Sequence, residues 1–173
     1  MGRMSHAQAP QSFGRVDDDG TVYVRTSDGE RSVGQVPDST SEEALEFFVR
    51  RYRALETEVS LLESRVSSGT ASPEEARSAA SKLVTSIREA NAVGDLESLA
   101  ARVEALTPTI DAKAETRREE RAEAKARAKQ AKEEMVAQAE AIAAGSDWRG
   151  GIGKFRDLLD QWRRLPRIDK TTD

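Results

Sequence analysis

Between Asp111 and Glu134 the chain reads DAKAETRREERAEAKARAKQAKEE, in which fifteen residues are charged, seven are alanine and none is large and apolar. Alanine, arginine, lysine and glutamate are strong helix formers, so the run predicts a helix. With no apolar face it has nothing to bury, and any core must come from the rest of the chain. The rest is lean. Of 173 residues 37% are hydrophobic and 34% charged, and only eight are aromatic, four Phe, two Trp and two Tyr. A mean hydropathy of -0.66 agrees. Such a composition disfavours a thick globular core and favours long thin helices, so the expected fold class is mainly α.

Within the charged run, four oppositely charged pairs stand at i,i+3 or i,i+4: Glu115 with Arg118, Arg117 with Glu120, Glu123 with Arg127 and Lys129 with Glu133. Ten like-charged pairs oppose them. At about 0.2 to 0.5 kcal/mol each, the imbalance costs an isolated helix on the order of 1 to 3 kcal/mol. Segregation is the cause. Lys113, Arg117, Arg121, Lys125 and Lys129 follow one another at four-residue steps, while Asp111, Glu115, Glu119 and Glu123 do so two residues out of phase, on the opposite side of the helix. The five cations are therefore the candidate nucleic-acid-binding residues, suited to lie along phosphates such as those of ribosomal RNA. A solvated spacer helix and pairing with an acidic protein surface are the alternatives.

Elsewhere the pattern is more conventional. Residues 1–12 are expected to be a disordered tail. Residues 13–36 read as a three-stranded meander, because Thr21-Val22-Tyr23-Val24-Arg25 alternates between Asp18-Asp19-Gly20 and Ser27-Asp28-Gly29, both hairpin turns. Residues 37–110 are expected to form a helical hairpin or three-helix coiled coil. Thr40-Ser41-Glu42-Glu43 is a capping box. Leu45, Phe48, Tyr52, Leu55, Val59, Leu62 and Val66 then repeat as a heptad seam. Ser72-Pro73-Glu74-Glu75 starts a second helix over about 73–92, with Ala76, Ala80, Leu83, Ile87 and Ala90 on one face, expected to lie antiparallel to the first. Gly94 is expected to cap it. Asp95 starts a third helix with Leu96, Leu99, Val103, Leu106 and Ile110 in phase, which Pro108 must kink or restart. Residues 111–144 are the long charged helix, closed by Gly145. In 145–173, Ser146 or Asp147 caps an amphipathic helix of Ile152, Phe155, Leu158, Leu159, Trp162 and Leu165, with Pro166 as its stop. Trp148 and Trp162 are expected as core anchors.

Several function classes are disfavoured by counting. There is no cysteine, so thiolate metal sites, disulfides and cysteine nucleophiles are excluded, and the sole histidine, His6, stands in the tail. The Asp17-Asp18-Asp19-Gly20 cluster is out of register for a calcium loop, which needs an acid where Arg15 stands. No run approaches the length of a membrane span or a secretory signal, and His6 breaks the myristoylation pattern after Gly2. With no glycine-rich phosphate loop and no HExxH, neither an enzyme nor a cofactor, metal, small-molecule substrate or membrane partner is expected. The expected location is the cytoplasm. Net charge is -4, distributed as -6 over residues 1–110 and +2 over 111–173, so nucleic-acid binding would rest on local patterning.

The run Asp147-Trp148-Arg149, followed by Leu158-Leu159-Asp160-Gln161-Trp162-Arg163-Arg164-Leu165-Pro166, resembles the opening of a repeat in the bacterial family called domain of unknown function 349. Gly20-Thr21-Val22-Tyr23-Val24-Arg25, Leu61-Leu62-Glu63-Ser64-Arg65-Val66 and Ala92-Val93-Gly94-Asp95-Leu96 are similar to its actinobacterial members. The resemblance implies helical repeats without an assigned activity. It also implies that the repeat is incomplete at Asp173, since family members continue into a further helix. Together these readings lead to a non-catalytic helical interaction protein associated with RNA or the ribosome. A coiled-coil scaffold that self-associates without nucleic acid is the rival.

Overall fold

The computed structural model describes residues 8–146 and 148–168, with the backbone alone of Trp148. The expected tail falls partly outside these residues, and within them Pro10–Phe13 forms a 3-10 turn. The capping role expected of Asp147 and the core role expected of Trp148 also lie outside what is described. Three strands follow, β1 (Gly14–Val16), β2 (Thr21–Thr26) and β3 (Gly29–Gln35). They pair antiparallel in chain order, Gly14 opposite Val24 and Thr26 opposite Gly29, with a bulge between Val22 and Tyr23. Strand alternation sends Val22, Val24 and Val33 inward, where they are buried. In the first turn the Asp19 carboxylate accepts from the Thr21 N-H at 2.9 Å, which holds its pKa below the ordinary carboxylate range. The acidic cluster is thus a hairpin turn.

Among the described residues five helices follow: α1 (Ser41–Ser68), α2 (Pro73–Glu89), α3 (Leu96–Glu104), α4 (Thr107–Ala144) and α5 (Trp148–Arg164). Both capping boxes form, Thr40 with Glu43 and Ser72 with Glu75, and Asp95 accepts from the Ser98 N-H at 3.0 Å. Each cap satisfies an N-H that the first helical turn leaves without a partner, contributing about 1 kcal/mol. Gly69, in the left-handed region at φ 72°, ends α1. The chain compacts into two units, divided after Ala114.

In the first unit, α1 and α2 are antiparallel, because Arg51 near the start of α1 donates to Asn91 O just beyond the end of α2. Phe48, Tyr52, Val59, Leu62 and Val66 of the heptad seam are buried, and Leu45 and Leu55 are half-buried against them. Ala44 and Val49 are buried as well, off the seam. The sheet meets the seam itself, with Gly14 of β1 against Leu45 and Gly34 of β3 against Phe48, and Ala44 and Val49 join the same core as Val22, Val24 and Val33. Each large side chain so buried contributes about 1.5 to 3 kcal/mol. Arg102 of α3 clamps α1, donating to both oxygens of Glu63 at 3.0 and 2.7 Å and to Ser60 Oγ at 3.3 Å.

One expectation changes, and at Pro108 one of the two expected outcomes is the one observed. α2 ends at Glu89 with Ala90 in the cap position, so Gly94 is not its cap. Gly94 instead lies under Tyr52, and a Cβ there would overlap the ring. Ala92 and Val93 beside it are fully buried, and Val93 N-H donates to Phe48 O at 3.2 Å. Pro108 restarts the helix: α3 stops at Glu104, and Pro108 is the second residue of α4, where its missing N-H costs nothing. Leu106 O accepts from Ile110 N-H at 3.0 Å, and Thr107 is the first residue of α4.

Candidate nucleic-acid interface

The start of α4 belongs to the first unit. Ile110 is buried in its core, and Asp111 accepts from Arg77 at 2.6 Å. Lys113 is half-buried, and its ammonium donates to Val66 O and, at 3.2 Å, to Ser67 O. These are the last carbonyls of α1, which carry partial negative charge and attract a cation. Lys113 therefore closes α1 and is occupied.

In the second unit, residues Glu115 to Arg127 are all exposed. Three of the four expected attractive pairs form: Glu115 with Arg118 at 2.9 Å, Glu123 with Arg127 at 3.2 Å and Lys129 with Glu133 at 3.9 Å. Among the described residues, Arg117, Arg121 and Lys125 make no ion pair. They span about 12 Å along the helix axis and drift by about 80° around it, because four residues overshoot a 3.6-residue turn. The five-residue stripe thus resolves into one cation that holds the fold, one exposed but drawn toward Glu133, and three that are exposed and make no ion pair among the described residues.

Beyond Lys125 the helix changes character. Ala128 and Lys132 are buried, and Met135, Ala139 and Ile142 are half-buried, a 4,3,4,3 seam along the C-terminal half of α4. α5 lies against this seam. The Lys132 ammonium stands 4.8 Å over the Trp162 ring, and the Gly151 backbone closes on Ile142. Continued backward, the spacing 121, 125, 128, 132, 135 is unbroken. Arg121 and Lys125 hold seam positions that, further on, carry residues α5 covers. This seam is hidden in the sequence, because a lysine occupies one of its central positions and alanines weaken the rest. Lys132 at seven residues from Lys125 was the available signal.

Among the described residues no group of three or more His, Asp or Glu side chains is placed to hold a metal ion, and no helix is long and apolar enough to cross a membrane. The clefts of the first unit are open surface grooves, the larger lined by Arg31, Arg88, Glu97 and Glu104 at the sheet edge. No curated protein and no solved structure matches the chain. The segments at Gly20–Arg25, Leu61–Val66 and Ala92–Leu96 lie outside residues 98–171, the part of the chain that matches a family model. Residues 98–171, from within α3 to beyond α5, match the model of the family described as Domain of Unknown Function (DUF349), which is what this part of the chain is similar to.

Proposed function

We propose that this protein is a non-catalytic, cytoplasmic helical interaction protein that lays Arg117, Arg121 and Lys125 of α4 along the phosphates of RNA, with the ribosome as the partner bearing that RNA. The observation carrying the reading is the position of these side chains. They are exposed, they make no ion pair among the described residues, and two of them stand on the seam that α5 covers further along. Leaving cations on a seam costs helix stability through like-charge repulsion, and an anionic backbone would offset that cost. Lys129 supports the edge of the surface, while Lys113 is withdrawn from it. A scaffold that self-associates would use the heptad seam of α1, the longest apolar repeat in the chain. That surface is buried inside the first unit, so self-association through it would require the unit to open.

The test is binding of a fluorescently labelled ribosomal RNA fragment by the wild type and by Arg117→Glu, Arg121→Glu, Lys125→Glu combined. The triple change raises attractive pairs in the Asp111–Glu134 run from four to six and lowers like-charged pairs from ten to eight, so helix content should hold or rise. Weaker binding is then not an unfolding artefact. For every phosphate that the variant no longer engages, the dependence of log affinity on log salt should flatten by about 0.7 to 0.9, or about 2 to 3 in total. Equal binding by both proteins at about 50 and 200 mM salt would defeat the reading.

A further inference from the structure

α5 is covered along one side only. Leu158, Trp162 and Leu165 are half-buried, whereas Ile152, Phe155 and Leu159 are 59%, 41% and 49% exposed, and Val136 of α4 is 46% exposed. The exposed three fall at successive a and d positions of a heptad, with Trp162 as the next d position. Arg149, Arg156 and Arg163 all occupy the e position of the same heptad and form a row beside the exposed ridge. The g positions on the other edge are Gly151, Leu158 and Leu165, which are buried or half-buried. Arg163 lies 3.7 Å from Asp160, while Arg149 and Arg156 make no ion pair among the described residues. Here an apolar ridge has one open edge, and that edge is arginine.

We propose that the Ile152, Phe155 and Leu159 ridge of α5 with its arginine edge is the docking site for an amphipathic helix of another protein, one whose own apolar ridge is edged by carboxylates. Spacing and charge select this occupant. Residues at 3,4 intervals accept the knobs of a partner helix, and an e-position arginine row is complemented by glutamates across the seam. A second copy of α5 is refused in both orientations. Antiparallel, its arginine row would face this one; parallel, the arginines would meet Gly151, Leu158 and Leu165, which are already covered. A lipid surface is a poorer fit, because a membrane-lying helix needs a broad apolar face and this ridge is narrow, with Gly151, Leu158 and Leu165 beside it already buried or half-buried. RNA is a poorer fit too, because Phe155 alone of the ridge could stack on a base and Ile152 and Leu159 offer it nothing. The site is separate from the α4 cations and does not depend on their binding RNA.

The probe is a three-heptad peptide with leucine at a and d and glutamate at e and g, compared with the same peptide carrying lysine at e and g. Each is labelled and titrated with the full chain. The glutamate peptide should bind in the micromolar range, at least about tenfold more tightly than the lysine peptide. Phe155→Ser with Leu159→Ser should abolish binding. Arg149→Glu, Arg156→Glu and Arg163→Glu together should invert the preference while helix content by circular dichroism is retained. Equal affinity for the two peptides, or no saturation by the glutamate peptide up to about 100 μM, would overturn the proposal. So would a wild-type dimer that the Phe155 and Leu159 changes dissolve, which would assign the ridge to a second copy. Vesicles of phosphatidylcholine and phosphatidylglycerol that bind through Phe155 and Leu159 would reassign it to lipid, and poly(U) binding that disappears with the three arginines would reassign the edge to RNA.

Discussion

Lys113→Met separates structural from binding cations on α4. Methionine keeps the length of the side chain and removes the ammonium that donates to Val66 O and Ser67 O. A hydrogen bond from a charged group contributes about 1.5 to 3 kcal/mol when buried, and a cation at a helix C-terminus about 0.3 to 1. Lys113 is half-buried, so water recovers part of what is removed, and the expected cost is about 1 to 2 kcal/mol. For a unit of this size that corresponds to a fall in melting temperature of roughly 5 to 10 °C. Urea denaturation followed by circular dichroism measures the cost, and amide exchange should locate the added opening in the last turn of α1. RNA affinity and its salt slope should stay at wild-type values, because this ammonium is already engaged. Unchanged stability accompanied by a salt slope about 0.7 to 0.9 shallower would refute the assignment and return Lys113 to the binding stripe.

Three further outcomes are expected. Gly94→Ala should destabilise the first unit by about 1 to 3 kcal/mol, since the added Cβ must displace Tyr52; the near-ultraviolet tyrosine signal should change with it. The hydrogen bonds from Arg102 hold the Glu63 carboxyl below its ordinary pKa of 4.5, so their contribution is present above that value and is lost as pH falls through the depressed one. Arg102→Met should therefore flatten the acid limb of a stability profile measured from neutral pH to below 4, by about 0.5 to 1 kcal/mol after allowance for solvent screening. Glu115→Lys, Glu119→Lys and Glu123→Lys together should strengthen RNA binding and steepen its salt dependence, and a titration showing weaker binding would contradict the phosphate reading.

Features set by neighbours along the chain are legible in the sequence alone. Thr40 with Glu43, Ser72 with Glu75 and Asp95 with Ser98 act within one helical turn, and turn chemistry at Asp19 and the alternation of Val22 and Val24 act within one hairpin. The α1 seam is equally plain, because one helix face repeats every seven residues whatever covers it. The positions of Val49, Gly94 and Lys113 are not. Val49 is buried because it joins a core shared with the sheet and the other helices, Gly94 is needed because Tyr52 from α1 descends on it, and Lys113 is occupied because the end of α1 lies within its reach. Each depends on elements distant along the chain, and composition carries no trace of such distances. The candidate site divides in the same manner. Charge segregation on α4 is a local periodicity, readable as a stripe. Which of its five cations stay exposed, and which part of α5 stays uncovered, follows from how helices pack, since burial is a property of surfaces brought together and not of any one segment.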